Sequence, residues 1–369
     1  MKARVVRRIG MTLAVLAPIL VARTAAVPVA AATAVPAHHP LYMPALGQTN
    51  NPTLQPPPAC CLPVPEEPAG QPAPINMAYF GGHVQVTPKV YLVLWGWGEA
   101  GAFSHTTPGM PNNDPDGAGA RMIAFLGAIG GTSWTGVSTQ YYEMQGTQQV
   151  FIQNPAHILA GVWWDNVNAI HNNVSGFQLA QEAQRAVAHF GVKDRNNSQF
   201  IIAQPQNYNE AGFNSGAGYC AWHDYTNAPA YAGVASGISF TNMPYVLNLG
   251  ASCGEHAVNS GYYAGRLDGF TIVLGHEMEE TVTDPGAGVG QATAGTSSQG
   301  AWYDYAGYEN GDKCAWVGNT GVSSASTVPG GLNNVKGTDG HLYPVQSLWS
   351  NNSAGGVGYC AGAGDNLPA

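Results

Sequence analysis

Lys89-Val90-Tyr91-Leu92-Val93-Leu94-Trp95 carries six apolar or aromatic residues without a polar break and lies between Pro88 and Gly96. A run of that length and composition predicts a strand buried on both faces. Val84-Gln85-Val86, just before it, predicts a short strand, as do Val137 to Met144, Gln148 to Ile152, Phe200 to Ala203, Met243 to Leu249 and His341 to Gln346. The period changes elsewhere. Ala118 to Ile129 reads as a helix, and Ser175 to Phe190 spaces Phe177, Leu179, Ala180, Ala183, Ala186, Val187 and Phe190 along one helical face behind a serine cap. Asp268 to Asp284 opens with Phe270-Thr271-Ile272-Val273-Leu274 and stops at Asp284-Pro285, which predicts a mostly buried helix ending near Thr283. Interleaved strand and helix patterns predict an α+β fold, a mixed twisted sheet packed with helices, with a zincin-like active-site helix at 268–284.

The N-terminus follows a different logic. Lys2, Arg4, Arg7 and Arg8 precede an apolar run from Met11 to Val21 that is too short to span a bilayer, and small residues follow at Ala32, Ala34 and Ala37. This pattern predicts a signal peptide over 1–37, cleaved on the general secretory route; the flanks of Arg7-Arg8 do not fit a twin-arginine signal. Residues 38–75, with Pro56-Pro57-Pro58 and prolines at 63, 65, 68, 72 and 74, predict a linker or pro-segment. Residues 76–369 then form one globular catalytic-type domain, without internal repeats and without a later apolar stretch of about 18 residues that would predict a membrane span.

Export changes the charge. The signal holds five of the 13 basic residues and none of the 22 acidic ones, so its removal moves the net charge from −9 to −14. Nucleic acid and anionic membranes are excluded as partners, because both need clustered Lys and Arg. An exported chain also reads its cysteines as disulfides first. Cys220 with Cys253 and Cys314 with Cys360 each bracket one compact segment; Cys60 and Cys61 stay open between pairing with each other, pairing between chains and no structural role.

The candidate chemistry lies on the 268–284 helix, where His276-Glu277-Met278-Glu279-Glu280 places three acids within four residues in a chain with few charges. His276 and Glu280, four apart, share a face and can hold one metal ion. Glu277 lies ~100° round the helix, where it can deprotonate a metal-bound water as general base. This is the H-E-x-x-H logic of zinc proteases with Glu in place of the second His. A third ligand is needed: Glu309 or Asp312, in the Gly-containing turn before Cys314, are favoured over Asp304, Asp284 and the more remote His223. A ligand set dominated by carboxylates and carbonyls would turn the choice from zinc to calcium. His223, three residues after Cys220, is a second catalytic candidate, as hydrogen-bond donor to the oxyanion of a tetrahedral intermediate. Glu255-His256 has weaker claims, and Gly233-Val234-Ala235-Ser236-Gly237 has its serine one place too late for a nucleophile elbow.

Gly81-Gly82, Val93-Leu94-Trp95-Gly96, Tyr219-Cys220-Ala221-Trp222-His223 and Thr281-Val282-Thr283-Asp284-Pro285 together resemble the phosphate-induced, EXORDIUM-like family of secreted plant proteins and its bacterial relatives. The resemblance covers most of 78–362. The bacterial pattern of His-Glu, then Glu, Thr-Asp-Pro and Glu-x-Gly-Asp-x-Cys is matched by His276, Glu277, Glu280, Thr283 to Pro285 and Glu309 to Cys314. The resemblance implies export and a shared fold. Plant members, linked to growth and cell-wall signalling, need not keep the His-Glu pair, so catalysis is not implied by membership alone. The function expected is a secreted zinc endopeptidase acting on extracellular protein or peptide. The alternatives are a non-catalytic extracellular or cell-wall-associated binding protein with a structural metal, and a glycoside hydrolase using a carboxylate pair.

Overall fold

The computed structural model describes residues 41–46, 76–214, 217–261, 265–286, 299–304, 307–316, 331–356 and 358–362. The chain divides into two compact units, 1–36 and 37–369, and every described residue belongs to the second. The signal sequence and Cys60-Cys61 lie outside the described residues.

The central element is the six-stranded mixed sheet that α+β patterning predicts. In chain order its members are β1 (Leu41–Pro44), β2 (Lys89–Trp95), β3 (Leu159–Asp165), β4 (Ser198–Ala203), β5 (Tyr219–Tyr225) and β6 (Ser239–Met243). Their spatial order is β1-β5-β6-β4-β2-β3. β2, β3, β4 and β6 run parallel, joined by crossovers that carry helix α1 (Ala118–Ala128) and helix α2 (Gly176–Phe190), whereas β5 and β1 are antiparallel at one edge. The parallel strands are covered on both faces, which is why β2 reads as an unbroken apolar run. Val90, Leu92 and Leu94 face one core with α1 and helix α3 (Asp268–Thr283), while Val93 and Trp95 face the other with α2.

Local signals account for the helix ends. Ser175 Oγ accepts from Gln178 N while Gln178 Oε1 accepts from Ser175 N, and Gly191 closes α2 at φ 65°. Phe177, placed on the apolar face by its spacing, is exposed on the first turn. Both expected disulfides are present, Cys220–Cys253 and Cys314–Cys360. Among the described residues, no helix is long and apolar enough to cross a membrane.

Three expected strands are corrected. Val84 to Val86 is irregular, because its backbone is used elsewhere: Val84 N donates to Glu143, Gln85 N to the Val282 carbonyl, and Val86 O accepts from Gln153. Val137 to Met144 splits into a 3-10 turn over Thr135–Gln140 and a hairpin strand over Tyr142–Gln145. Met243 ends β6 rather than beginning a strand, since Pro244 offers no N–H and Val246–Asn248 turns as 3-10 helix. The Leu41–Pro44 strand falls in the segment read as linker. Met43 is fully buried, and Trp316 Nε1 donates to the Pro44 carbonyl.

On α2, Glu182 is buried beside Arg185 and Asp165, and burial raises its carboxyl to about 8 despite the Arg185 charge. A carboxyl raised in the folded state binds its proton more tightly there, so stability is lost as pH climbs from the ordinary range near 4.5 through 8. Glu182→Gln therefore flattens this decline. Melting curves at pH 5 and pH 9 should show a fall smaller by roughly 5 °C in the variant; equal falls would remove Glu182 from the linkage.

Candidate metal centre

α3 is buried on every side, though it carries five ionisable side chains. Its ends are tied by named contacts: Asp268 accepts from Val258 N and Asn259 N, and Asp284 Oδ1 accepts from Ala301 N at 2.6 Å. Gly269 is required by packing, since a Cβ there would stand 2.1 Å from the Cys253 carbonyl oxygen. Two turns further on, His276, Glu277 and Glu280 face the antiparallel edge of the sheet and the turn at 309–314, while Glu279 points away and accepts from Ser138 Oγ.

His276 uses its two nitrogens differently. Nδ1 lies 3.0 Å from Gln346 Oε1, which makes it the protonated nitrogen, and Gln346 Nε2 is anchored on the Gly311 carbonyl at 2.8 Å. Nε2 has no hydrogen-bond partner and lies 3.0 Å from Glu280 Oε1 and 3.7 Å from Asp312 Oδ1. Asp312 N in turn donates to Glu280 Oε1 at 2.8 Å. Gly311 presses its backbone against this group, and a Cβ there would sit 2.8 Å from Glu280 Oε1 and 2.9 Å from His276 Nδ1.

β5 supplies the opposite wall. Alternation along the strand turns His223 to the same face as Ala221, towards α3. Its Nδ1 is 3.1 Å from Glu277 Oε2 and 3.5 Å from Glu280 Oε2, and its Nε2 is 3.6 Å from Glu309 Oε2. Both nitrogens thus face carboxylates, rather than an open cleft in which an oxyanion would develop.

Two sets of side chains have donor atoms within 4.8 Å of one another: His276, Glu280 and Asp312, and His223, Glu277 and Glu280. Of the two favoured third ligands, Asp312 joins the His276–Glu280 set and Glu309 stands behind His223. Asp304 is engaged by Lys313 Nζ at 2.7 Å, and Glu255 by Arg266, so neither belongs to the cluster. Asp284 adds its charge to the field around His223, Glu280 and Glu309.

The electrostatics demand compensation. Burial pushes Glu277, Glu309 and Asp312 above the ordinary carboxylate range, with neighbouring carboxylates raising them further, and it lifts Asp284 to about 7. Burial alone would lower the imidazoles. The hydrogen bond and charge of Glu277 hold His223 up to about 9, and Glu280 holds His276 up to about 10. Among the described residues, the ion pairs of Glu277, Glu280, Glu309 and Asp312 are made with these two histidines and with no lysine or arginine. Each buried, uncompensated carboxylate costs several kcal/mol, against roughly 5–15 kcal/mol for the stability of a whole domain. Glu277 Oε1, both Glu309 oxygens, His223 Nε2 and His276 Nε2 are buried without a hydrogen-bond partner.

Gln346, which orients His276, is absent from any motif and was recognisable only once its strand was folded against α3. No protein-family model, curated protein or solved structure matches the chain. Gln346→Leu should keep the fold and weaken divalent-cation binding by about 10–100-fold in a chelator competition assay; unchanged affinity would remove Gln346 from a supporting role.

Proposed function

We propose that the chain is an exported metal-dependent endopeptidase, with zinc as the resident ion and extracellular protein or peptide as substrate. One observation carries the reading: His276 Nε2, Glu280 and Asp312 converge as a buried set whose histidine is oriented from behind by Gln346. One imidazole and two carboxylates suit zinc with a coordination position left open. A divalent cation held there would supply Lewis acidity, polarising a carbonyl and acidifying water towards neutral pH. Glu277 is the general base. Its Oε2 is held by His223 Nδ1, and its partnerless Oε1 accepts the proton of the attacking water and returns it to the leaving amine. His223 is a positioning residue in this scheme.

We further propose membership of the bacterial branch of the EXORDIUM-like family, on the motifs quoted above. In that pattern the Glu-x-Gly-Asp-x-Cys stretch contributes Asp312 to the ligand set and Cys314 to the disulfide that steadies it. The H-E-x-x-E spacing on α3 supports a zincin-like assignment of the helix, and the two disulfides with a signal sequence support export.

A second reading is favoured by burial. The side chains of His223, His276, Glu277 and Glu309 are wholly inaccessible and that of Asp312 is 7% exposed, as a structural metal in a non-catalytic binding protein would require. Purified mature protein distinguishes the two. The peptidase reading expects bound zinc, casein cleavage that a chelator stops, and a Glu277→Gln variant that keeps the ion at His276, Glu280 and Asp312 while losing at least 100-fold in rate. Bound metal with no cleavage of casein or a peptide library favours the binding protein; metal-free protein with no cleavage rejects both.

A further inference from the structure

The cluster has more ligands than one ion uses. We propose that it holds two divalent cations, with Glu280 shared between them, an inference that rests on the metal-dependent reading above and extends it.

The two sets within ligand distance overlap in one residue. Glu280 offers Oε1 to the group containing His276 Nε2 and Asp312 Oδ1, and Oε2 to the group containing His223 Nδ1 and Glu277. A carboxylate with one oxygen on each side is the arrangement of a bridging ligand. The two histidines repeat one design. Each turns one nitrogen to the carboxylates and has its other nitrogen backed by a polar group: Gln346 Oε1 behind His276 at 3.0 Å, and Glu309 Oε2 behind His223 at 3.6 Å. Such outer partners orient imidazole ligands and raise their basicity. Neither Glu309 oxygen has a hydrogen-bond partner, and the charge contact with His223 is its ion pair among the described residues.

Charge points the same way. Glu277, Glu280, Glu309 and Asp312, with Asp284 beside them, bring five carboxylates to one buried site. One divalent cation offsets two negative charges, and two cations offset four. The helix offers no help, because α3 has no basic residue in its last turn and its C-terminal end disfavours anions. Nitrogen and carboxylate donors in both sets suit zinc or manganese. In hydrolases with paired metals, both the attacking and the leaving oxygen are stabilised, and Glu277 can bind through Oε2 while Oε1 stays free to take a proton.

Metal-depleted full-length mature protein, titrated with zinc or with manganese and read by elemental analysis, tests this without relying on activity. Two ions per chain are expected in the wild type, one in Asp312→Asn, one in His223→Ala, and a paramagnetic signature of exchange coupling between two manganese ions in the wild type. One ion per chain, unaffected by His223→Ala and lacking the coupled signature, overturns the paired centre and leaves the single-metal reading standing. No bound ion overturns both. The wild-type stoichiometry and coupling decide the question even if a variant does not fold.

Discussion

Burial of like charges along one helix is the constraint that the rest of this structure answers to. α3 is enclosed by the sheet, by α1 and by the 342–345 strand, yet within little more than one turn it carries His276, Glu277, Glu279 and Glu280. Water cannot solvate these groups, and no lysine or arginine pairs with the inward-facing carboxylates among the described residues. Compensation must come from protons or from cations. Proton uptake accounts for Glu279, isolated on the far face with Ser138 and raised to about 8. At the inner face, five carboxylates and two imidazoles meet, and the proposed cations would offset charge there that the imidazoles alone do not.

The scaffold serves that cluster from three directions. β5 brings His223, the turn at 309–314 brings Glu309 and Asp312, and the Leu342–Val345 strand leads into Gln346. A disulfide lies close to two of these residues along the chain, at Cys220 for His223 and at Cys314 for Asp312. Cross-links placed there restrict the unfolded chain and hold elements that are distant in sequence beside the helix. Gly269 and Gly311 allow backbones to approach where any side chain would collide. Close main-chain packing at these two glycines therefore shapes the walls of the cluster.

Much of the frame was legible from pattern. The β2 run, the α2 capping box and the Asp-Pro stop of α3 are local signals, determined by steric and hydrogen-bonding preferences within a few residues. In Tyr219–Tyr225, His223 and Asp224 break the apolar run and are accommodated only by what packs on them, and in Leu159–Asp165 the central Gly161 weakens the strand pattern. The Leu41–Pro44 strand was hidden among prolines. Its pairing with β5, with Leu41 opposite His223, is a long-range contact that no local pattern encodes.

The sequence by itself determined the class of fold and the helix spacing that puts His276 and Glu280 on one face, since both follow from periodicity, whereas the two disulfide pairings were chosen from fifteen connectivities only by the folded chain. Tertiary structure alone decided that Asp312 and not Glu309 stands with His276, that His223 faces Glu277 and Glu280, and that Gln346 supports the imidazole. These contacts join residues 32 to 70 positions apart. At that separation sequence spacing no longer constrains distance, and the packing of a strand, a turn and a helix around buried charge does.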